Sequence, residues 1–311
     1  MSAVLLIGGG YGLFEVWTPQ IDAVLPDFGT LPQYAGGRGV RAAVLGELVY
    51  VCGGWNRIGD NWRTIGTCWT VNINGGQLSQ TTTMTVSRAF HTLDRVGDRL
   101  IATGGWERSY SLNSVEFYSP EKGWETATWT LPFGDYRHCI VPLSNEDEIL
   151  FLSGLGSRFG RMYMNKINIE TGVSETIQPP LGATGAEHYC AREGDSVYLT
   201  EDRQVWQYSI AKNSWMRLAE TSSTASGIVV LSGEVTFFGY SIIQVLNNGA
   251  WKKPEQELQA DGTGSSPAII ALTVEEGTNT SSATDLTIST PHVESSKNIE
   301  IYMVNVIILF S

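Results

Sequence analysis

The sequence predicts an all-β fold assembled from one repeated four-strand unit, on three observations. The first is composition: 17% charged residues with 34 Gly, 10 Trp and 12 Tyr. Low charge with many glycines and aromatics suits short packed strands joined by tight turns, and argues against a helical bundle or a disordered chain. The second is recurrence. An apolar run ending in glycine appears as LLIGGG at the start, then as LVYVCGG ending at Gly54, LIATGG at Gly105 and ILFLSGLG at Gly156. The interval is roughly 45 to 52 residues, the range of repeat architectures. The third is a fixed order of events inside a unit. AFHTLDRV turns through Gly97-Asp98 into LIATGG, then come a loop, SVEFYSP, a turn and WETATW. Gly-Asp between two alternating runs is a hairpin signal.

Taken in order, the second strands fall near Ile7, Val51, Ala102, Leu152, Leu199 and Phe238, which makes six units. The first unit begins at its second strand, and PAIIALT, Pro267 to Thr273, is left over at the other end. That run is predicted to complete the first sheet and close a six-bladed β-propeller, so that no long edge stays open. Residues 1–273 are therefore expected to form the propeller. Residues 274–311 read as a Ser/Thr-rich polar linker and a short apolar tail, expected to be disordered. The final IYMVNVIILF is short of the ~20 residues a membrane helix needs.

The unit from Ser87 to Trp129 resembles a Kelch repeat in the residues that define one: Gly104-Gly105, then Tyr118 and Trp124. VWQYSIAKNSW matches again with Tyr208 and Trp215. Trp17 stands where the first unit's Tyr would fall, and Trp251 supplies a fourth-strand Trp near the end. The resemblance covers about residues 4 to 273, with departures at Gly154-Leu155-Gly156, at Glu201-Asp202 and at the sixth unit, which keeps only Gly239. It implies large aromatics wedged between neighbouring sheets, and diglycines where strands leave a crowded centre.

Charge and motifs exclude several functions. A net charge of -12 disfavours binding to nucleic acid, whose phosphates need a basic surface. The opening MSAVLLIGGG has no signal-peptide character, so a cytoplasmic protein is expected, or an extracellular one if the chain is a fragment. Cys52, Cys68, Cys139 and Cys190 show no CxxC pair. Cys52 and Cys68 could face each other across a hairpin, but buried free thiols are the expectation. IGGGYG lacks the Lys of a phosphate loop.

His91, His138 and His188 fall in the first strands of consecutive units, the strands that line a propeller's axis. Equivalent positions ring an axis instead of converging on a point, so structural histidines are expected, with no metal and no cofactor. The resembled family includes copper-dependent galactose oxidases, sugar-acid epimerases and nitrile-specifier proteins. No Tyr-Cys and His set and no Ser/His/Asp order can be assigned here, and Glu201-Asp202 reads as a solvated turn.

The loops between second and third strands carry the functional signal. They are long in units two to four, GGWNRIGDNWRTIG, GGWERSYSLN and GLGSRFGRMYMN, and short elsewhere. The first holds Trp55, Arg57, Trp62 and Arg63; the second Trp106, Arg108 and Tyr110; the third Arg158, Phe159 and Arg161. Only Asp60 and Glu107 oppose these five arginines. Trp, Tyr and Arg dominate binding hot spots, and guanidinium groups suit carboxylates and phosphates. The expected function is a non-enzymatic, monomeric propeller that binds an acidic or phosphorylated peptide on this face, as a substrate-recognition or scaffold module. No nucleic acid or membrane partner is expected. The alternative is a carbohydrate-active or sugar-binding protein, galactose oxidase-like or epimerase-like, that stacks sugars on the tryptophans.

Overall fold

The computed structural model describes residues 2–8, 13–17, 39–58, 60–72, 78–156, 160–231, 234–239, 243–252 and 268–273. For the first two and the last of these segments, and for Arg57, Ser226 and Leu231, only the backbone is described.

The predicted units appear in order. The first contributes β1 (Ser2–Gly8) and β2 (Leu13–Trp17). The second contributes β3 (Arg41–Leu45), β4 (Leu48–Cys52), the ribbon β5 (Trp55–Ile58) and β6 (Asn61–Thr64), then β7 (Cys68–Asn72) and β8 (Leu78–Gln80). The third has β9 (Thr92–Val96), β10 (Arg99–Thr103), the short ribbon β11 (Trp106–Glu107) and β12 (Tyr110–Ser111), then β13 (Ser114–Ser119) and β14 (Gly123–Thr130). The fourth is β15 (Cys139–Pro142), β16 (Glu148–Leu152), β17 (Met164–Asn168) and β18 (Ser174–Ile177). The fifth is β19 (His188–Glu193), β20 (Ser196–Glu201), β21 (Gln204–Ser209) and β22 (Ser214–Arg217). The sixth is β23 (Ala225–Leu231), β24 (Glu234–Gly239), β25 (Ile243–Asn247) and β26 (Ala250–Lys252), and β27 (Ala268–Thr273) follows.

Units two to six each form a four-stranded antiparallel sheet in chain order. The count of six four-stranded blades is thus corrected to five. The sheet that joins the two ends of the chain has three described strands, in the order β2, β1, β27. In it, Leu5 stands opposite Ile270 and Leu6 opposite Ile269. The innermost strands β3, β9, β15, β19, β23 and β27 neighbour one another in turn, and β27 neighbours β3 again.

The core is the set of seams between adjacent sheets, because a four-stranded sheet alone cannot bury either face. Between units two and three, Tyr50, Met84, Leu93, Leu100 and Tyr118 interlock. Between units three and four, Ile101, Trp129, Ile149, Phe151 and Ile167 do the same. The repeat aromatics are cross-strand partners: Tyr118 opposes Trp124 and Tyr208 opposes Trp215. Their ring centroids lie 5.2 and 4.9 Å apart. Outer-strand tryptophans also tie one sheet to the next, as Trp215 donates to the Gln178 carbonyl and Trp251 to that of Ala219.

At the axis the backbone itself steps from sheet to sheet. The N–H of Phe90 donates to Gly39 O, that of Arg137 to Phe90 O, and that of His188 to Arg137 O. Gly39, Phe90 and Arg137 all take left-handed φ, at 68°, 53° and 54°, so the same rare conformation opens three successive inner strands. The Gly104-Gly105 pair answers the same crowding. A Cβ on Gly104 would sit 2.6 Å from Asp135 O, and one on Gly105 2.8 Å from His91 Cβ.

All four cysteines are paired, which corrects the expectation of free thiols. Cys52 and Cys68 are directly opposed on β4 and β7 and form one disulfide. Cys139 on β15 and Cys190 on β19 form the other, with Cα atoms 6.2 Å apart, and it bolts units four and five together.

Candidate functional site

Two layers of functional groups share one end of the molecule. The upper layer is built by the loops that leave the second strands. Hairpin β5–β6 pairs Trp55 with Thr64 and Arg57 with Trp62, and β11–β12 pairs Trp106 with Ser111 and Glu107 with Tyr110. The two ribbons bring their aromatics into contact. Trp55 packs against Trp62 at 4.8 Å between centroids, and edge-on against Trp106 at 5.6 Å. Ala89 bridges by backbone to Trp106, so the third unit's ribbon is tethered to its own inner strand. Trp62 remains 48% exposed and Tyr110 70%. Arg63, Arg108 and Arg161 are exposed. The structure therefore joins Trp55, Trp62 and Trp106 into one cluster. Arg57 is placed by backbone only, and Arg158 and Phe159 lie outside the described residues.

The lower layer lies under the diglycine turns, at the start of the inner strands. The three equivalent histidines do three different things. His138 Nε2 is 2.8 Å from Thr103 Oγ1. His188 bonds through Nδ1 to Ser153 O and through Nε2 to Glu201, 3.2 Å away. Neither ring nitrogen of His91 has a partner. Burial holds His138 down to about 3 and His91 well below its ordinary value, and neighbouring arginines push the same way, so both are neutral at neutral pH. Among the described residues no group of three or more His, Cys, Asp or Glu is arranged to hold a metal ion.

Sequence reasoning missed most of this layer. Arg88 and Glu116 are fully buried and ion-paired at 2.5 Å, and Glu116 also accepts from the N–H groups of Thr85 and Val86 at 2.6 and 3.0 Å. Arg137 is ion-paired with Glu187. Asp135 accepts from the N–H groups of Tyr136, Gly154 and Gly156, yet burial outweighs those bonds and raises it to about 6. Glu201 is not in a solvated turn. It is 9% exposed and accepts from both the backbone N–H and the hydroxyl of Thr184, while Asp202 alone takes the turn, with φ 54°. The available signal was charged residues inside otherwise apolar strands, as at Glu116 in SVEFYSP.

A ring of antiparallel four-stranded sheets with in-register Tyr–Trp pairs and left-handed diglycines is the repeat the sequence resembled, now seen in three dimensions. Curated proteins similar to the chain agree. Kelch-like protein 36 of Rattus norvegicus is 27% identical over 219 residues, covering 63% of this chain and 35% of that protein. Kelch-like protein 23 of Homo sapiens is 23% identical over 255 residues, covering 75% and 42%. The chain is a β-propeller whose sequence is similar to those of Kelch-like proteins. A solved structure of YjhT shares the fold at TM-score 0.59 and 14% identity, covering 86% of this chain and 97% of that one. No family model matches the chain. The chain spans less than half the length of the curated relatives it matches, 35% and 42% of the two above. Among the described residues there is no helix long and apolar enough to cross a membrane.

Proposed function

We propose that this Kelch propeller is a non-enzymatic interaction module that captures a protein segment on the ribbons of its second, third and fourth units. The observation that supports this most is the tryptophan cluster. Trp62 is held by Trp55 yet keeps nearly half its surface exposed, a cost in solvated apolar area that a buried interface would recover. Arg63, Arg108 and Arg161 on the same three loops are exposed, on a protein of net charge -12, and such guanidinium groups suit an acidic or phosphorylated peptide. The same reading makes the chain a substrate-recognition or scaffold module, monomeric, with residues 1–273 as the propeller; residues 274–311, expected to be a polar linker and tail, lie outside the described residues.

The test is binding of a library of acidic and phosphorylated peptides to the intact protein and to a variant with Arg57, Arg63 and Arg161 all changed to Glu. Binding lost in the variant at unchanged melting temperature is the expected result. Equal binding by both, or no selective binding by either, would sink the proposal. The cluster also supports a second reading, a sugar-stacking platform, because flat exposed indoles suit the apolar faces of sugars. Glycan-array binding that survives the triple Arg change would favour it. The compartment is tied to the cysteines. Disulfides persist where the surroundings oxidise, so a cytoplasmic location requires both pairs to be dithiols there.

A further inference from the structure

The turn between β15 and β16 lies at the end of the propeller opposite the ribbons, since β16 leaves it at Glu148 and reaches the third of the long loops only after Leu152. It reads Leu143-Ser144-Asn145-Glu146-Asp147. The Glu146 N–H donates to Leu143 O at 3.0 Å and the Leu143 N–H to Glu148 O at 2.8 Å, which sets Ser144 and Asn145 at the tip. Ser144, Asn145, Glu146 and Asp147 are all exposed. One guanidinium reaches this turn from the next unit. Arg192 on β19 is 5% exposed, and its Nε donates to Gly194 O at 2.9 Å and its Nη1 to Pro142 O at 2.7 Å. Its Nη2 donates to Ser144 Oγ. An exposed hydroxyl thus rests against a positive charge that two backbone carbonyls hold in place.

Sequence and geometry together specify a modification. A serine followed by Glu146, Asp147 and Glu148 suits a kinase whose substrate groove is basic, because those carboxylates pair with it. Once formed, a phosphoserine is stabilised by a guanidinium already in contact with its oxygen. The nearby acids oppose this weakly. Glu148 is matched by Lys166 at 3.5 Å and by Asn145 at 2.9 Å, and Asp195 by Ser209 and the Ala211 N–H. Glu146 and Asp147 face solvent, which screens their repulsion, whereas the Arg192 contact is partly buried and screened less. We propose that Ser144 is phosphorylated by an acid-directed serine kinase and that its phosphate seats on Arg192, tying unit four to unit five. In the transfer, Ser144 Oγ bonds to the γ-phosphorus of ATP and the bond from that phosphorus to the β–γ bridging oxygen breaks. ADP leaves with the electron pair, and the hydroxyl proton passes to the general base of the kinase. The tie runs beside the Cys139–Cys190 disulfide, which links β15 and β19 themselves. It uses none of the ribbon side chains, so it is separate from the peptide-binding reading and survives its failure.

The experiment is incubation of the folded full chain with ATP and the acid-directed casein kinase, read by intact mass and fragmentation. The expected result is one phosphate, placed on Ser144 and absent in Ser144→Ala. Incorporation should be about tenfold slower or more in the paired change Glu146→Gln with Asp147→Asn, since contacts from carboxylates to the kinase are charge-assisted. No phosphate, or phosphate elsewhere with Ser144 unmodified, overturns the proposal. The phosphorylated protein should then melt about 2 °C above the unmodified one, a gain that Arg192→Gln removes. No gain, or a gain kept in Arg192→Gln, overturns the tie. Should that variant fail to fold, 31P NMR of the phosphorylated wild type decides. Beside the guanidinium the phosphate should titrate lower, by about half a pH unit or more, than in a peptide of residues 141–150 phosphorylated at Ser144. An equal or higher midpoint in the protein means that the phosphate points into solvent, and the tie to Arg192 falls.

Discussion

The outer seams and the axial end of the propeller solve the same packing problem with opposite chemistry. In the seams, Tyr118 with Trp124 and Phe151 with Trp129 and Ile149 fill space mainly by apolar packing, and a lost contact costs the area and the cavity it leaves. At the axis, Arg88, Glu116, Arg41 and the neutral histidines are buried among themselves, and each is tolerable only through its neighbours. The difference teaches where this fold is fragile. A seam degrades by increments, whereas the axis fails when one partner goes.

The sharpest way to break that contrast is Glu116→Ala. It strands the Arg88 guanidinium and unties the N–H groups of Thr85 and Val86, with an expected loss of about 3–5 kcal/mol in chemical denaturation. The paired change of Arg88→Met with Glu116→Leu should recover most of that loss, because no charge is left stranded. If the single and paired variants are equally unstable, the axis is packing like any seam.

Next in size is the bolt between units four and five. Replacing Cys139 and Cys190 with Ser should cost about 2–4 kcal/mol relative to the oxidised protein, by freeing a 51-residue loop in the unfolded chain. The same denaturation curve run with and without reductant checks it. Identical curves would mean that these cysteines are thiols, and the case for an oxidising compartment would go with them.

Much of the seam was legible in the sequence and little of the axis. Gly97-Asp98 marked a hairpin, and Tyr118, Trp124, Tyr208 and Trp215 marked partners within one unit, because those contacts are set by local spacing. The tryptophan loops were legible for the same reason, although the contact of Trp55 with Trp106 required two units to lie side by side. Cys139 with Cys190, Arg88 with Glu116 and Arg41 with Glu187 depend on which strands become neighbours in the ring. No periodicity within a unit carries that order. Glu201 misled because its neighbour Asp202 does make the turn, and strand alternation hid the carboxylate beside it.

A smaller effect separates the two regions by pH. The folded protein refuses protons at His91 and His138, whose values are depressed from 6.5, while the unfolded chain accepts them. Their stabilising contribution is therefore complete above about pH 6.5 and falls on acidification, by about 1.4 kcal/mol per pH unit for each histidine. Asp135 runs the other way. Raised from 3.8 to about 6, it favours the fold below pH 3.8 and loses that contribution as pH rises through 6. Denaturation midpoints at pH 7.5, 6 and 5 should fall in the wild type and fall less steeply in His138→Gln. A slope unchanged by that substitution would show that the histidine titrates alike in both states.

The smallest stability effect belongs to the ribbons, which lie above both regions and support neither. Trp62 rests on Trp55 at the surface, so Trp62→Ala should move the melting transition by no more than about 0.5 kcal/mol. Its expected effect on peptide capture is far larger, about 30-fold or more, since truncating a central aromatic anchor typically costs about 2 kcal/mol of binding. Calorimetry and binding measured on the same preparation test both halves at once. A large loss of stability would make the tryptophan cluster a cap on the second unit, and the exposed half of Trp62 would then be the solvent-facing side of a structural plug.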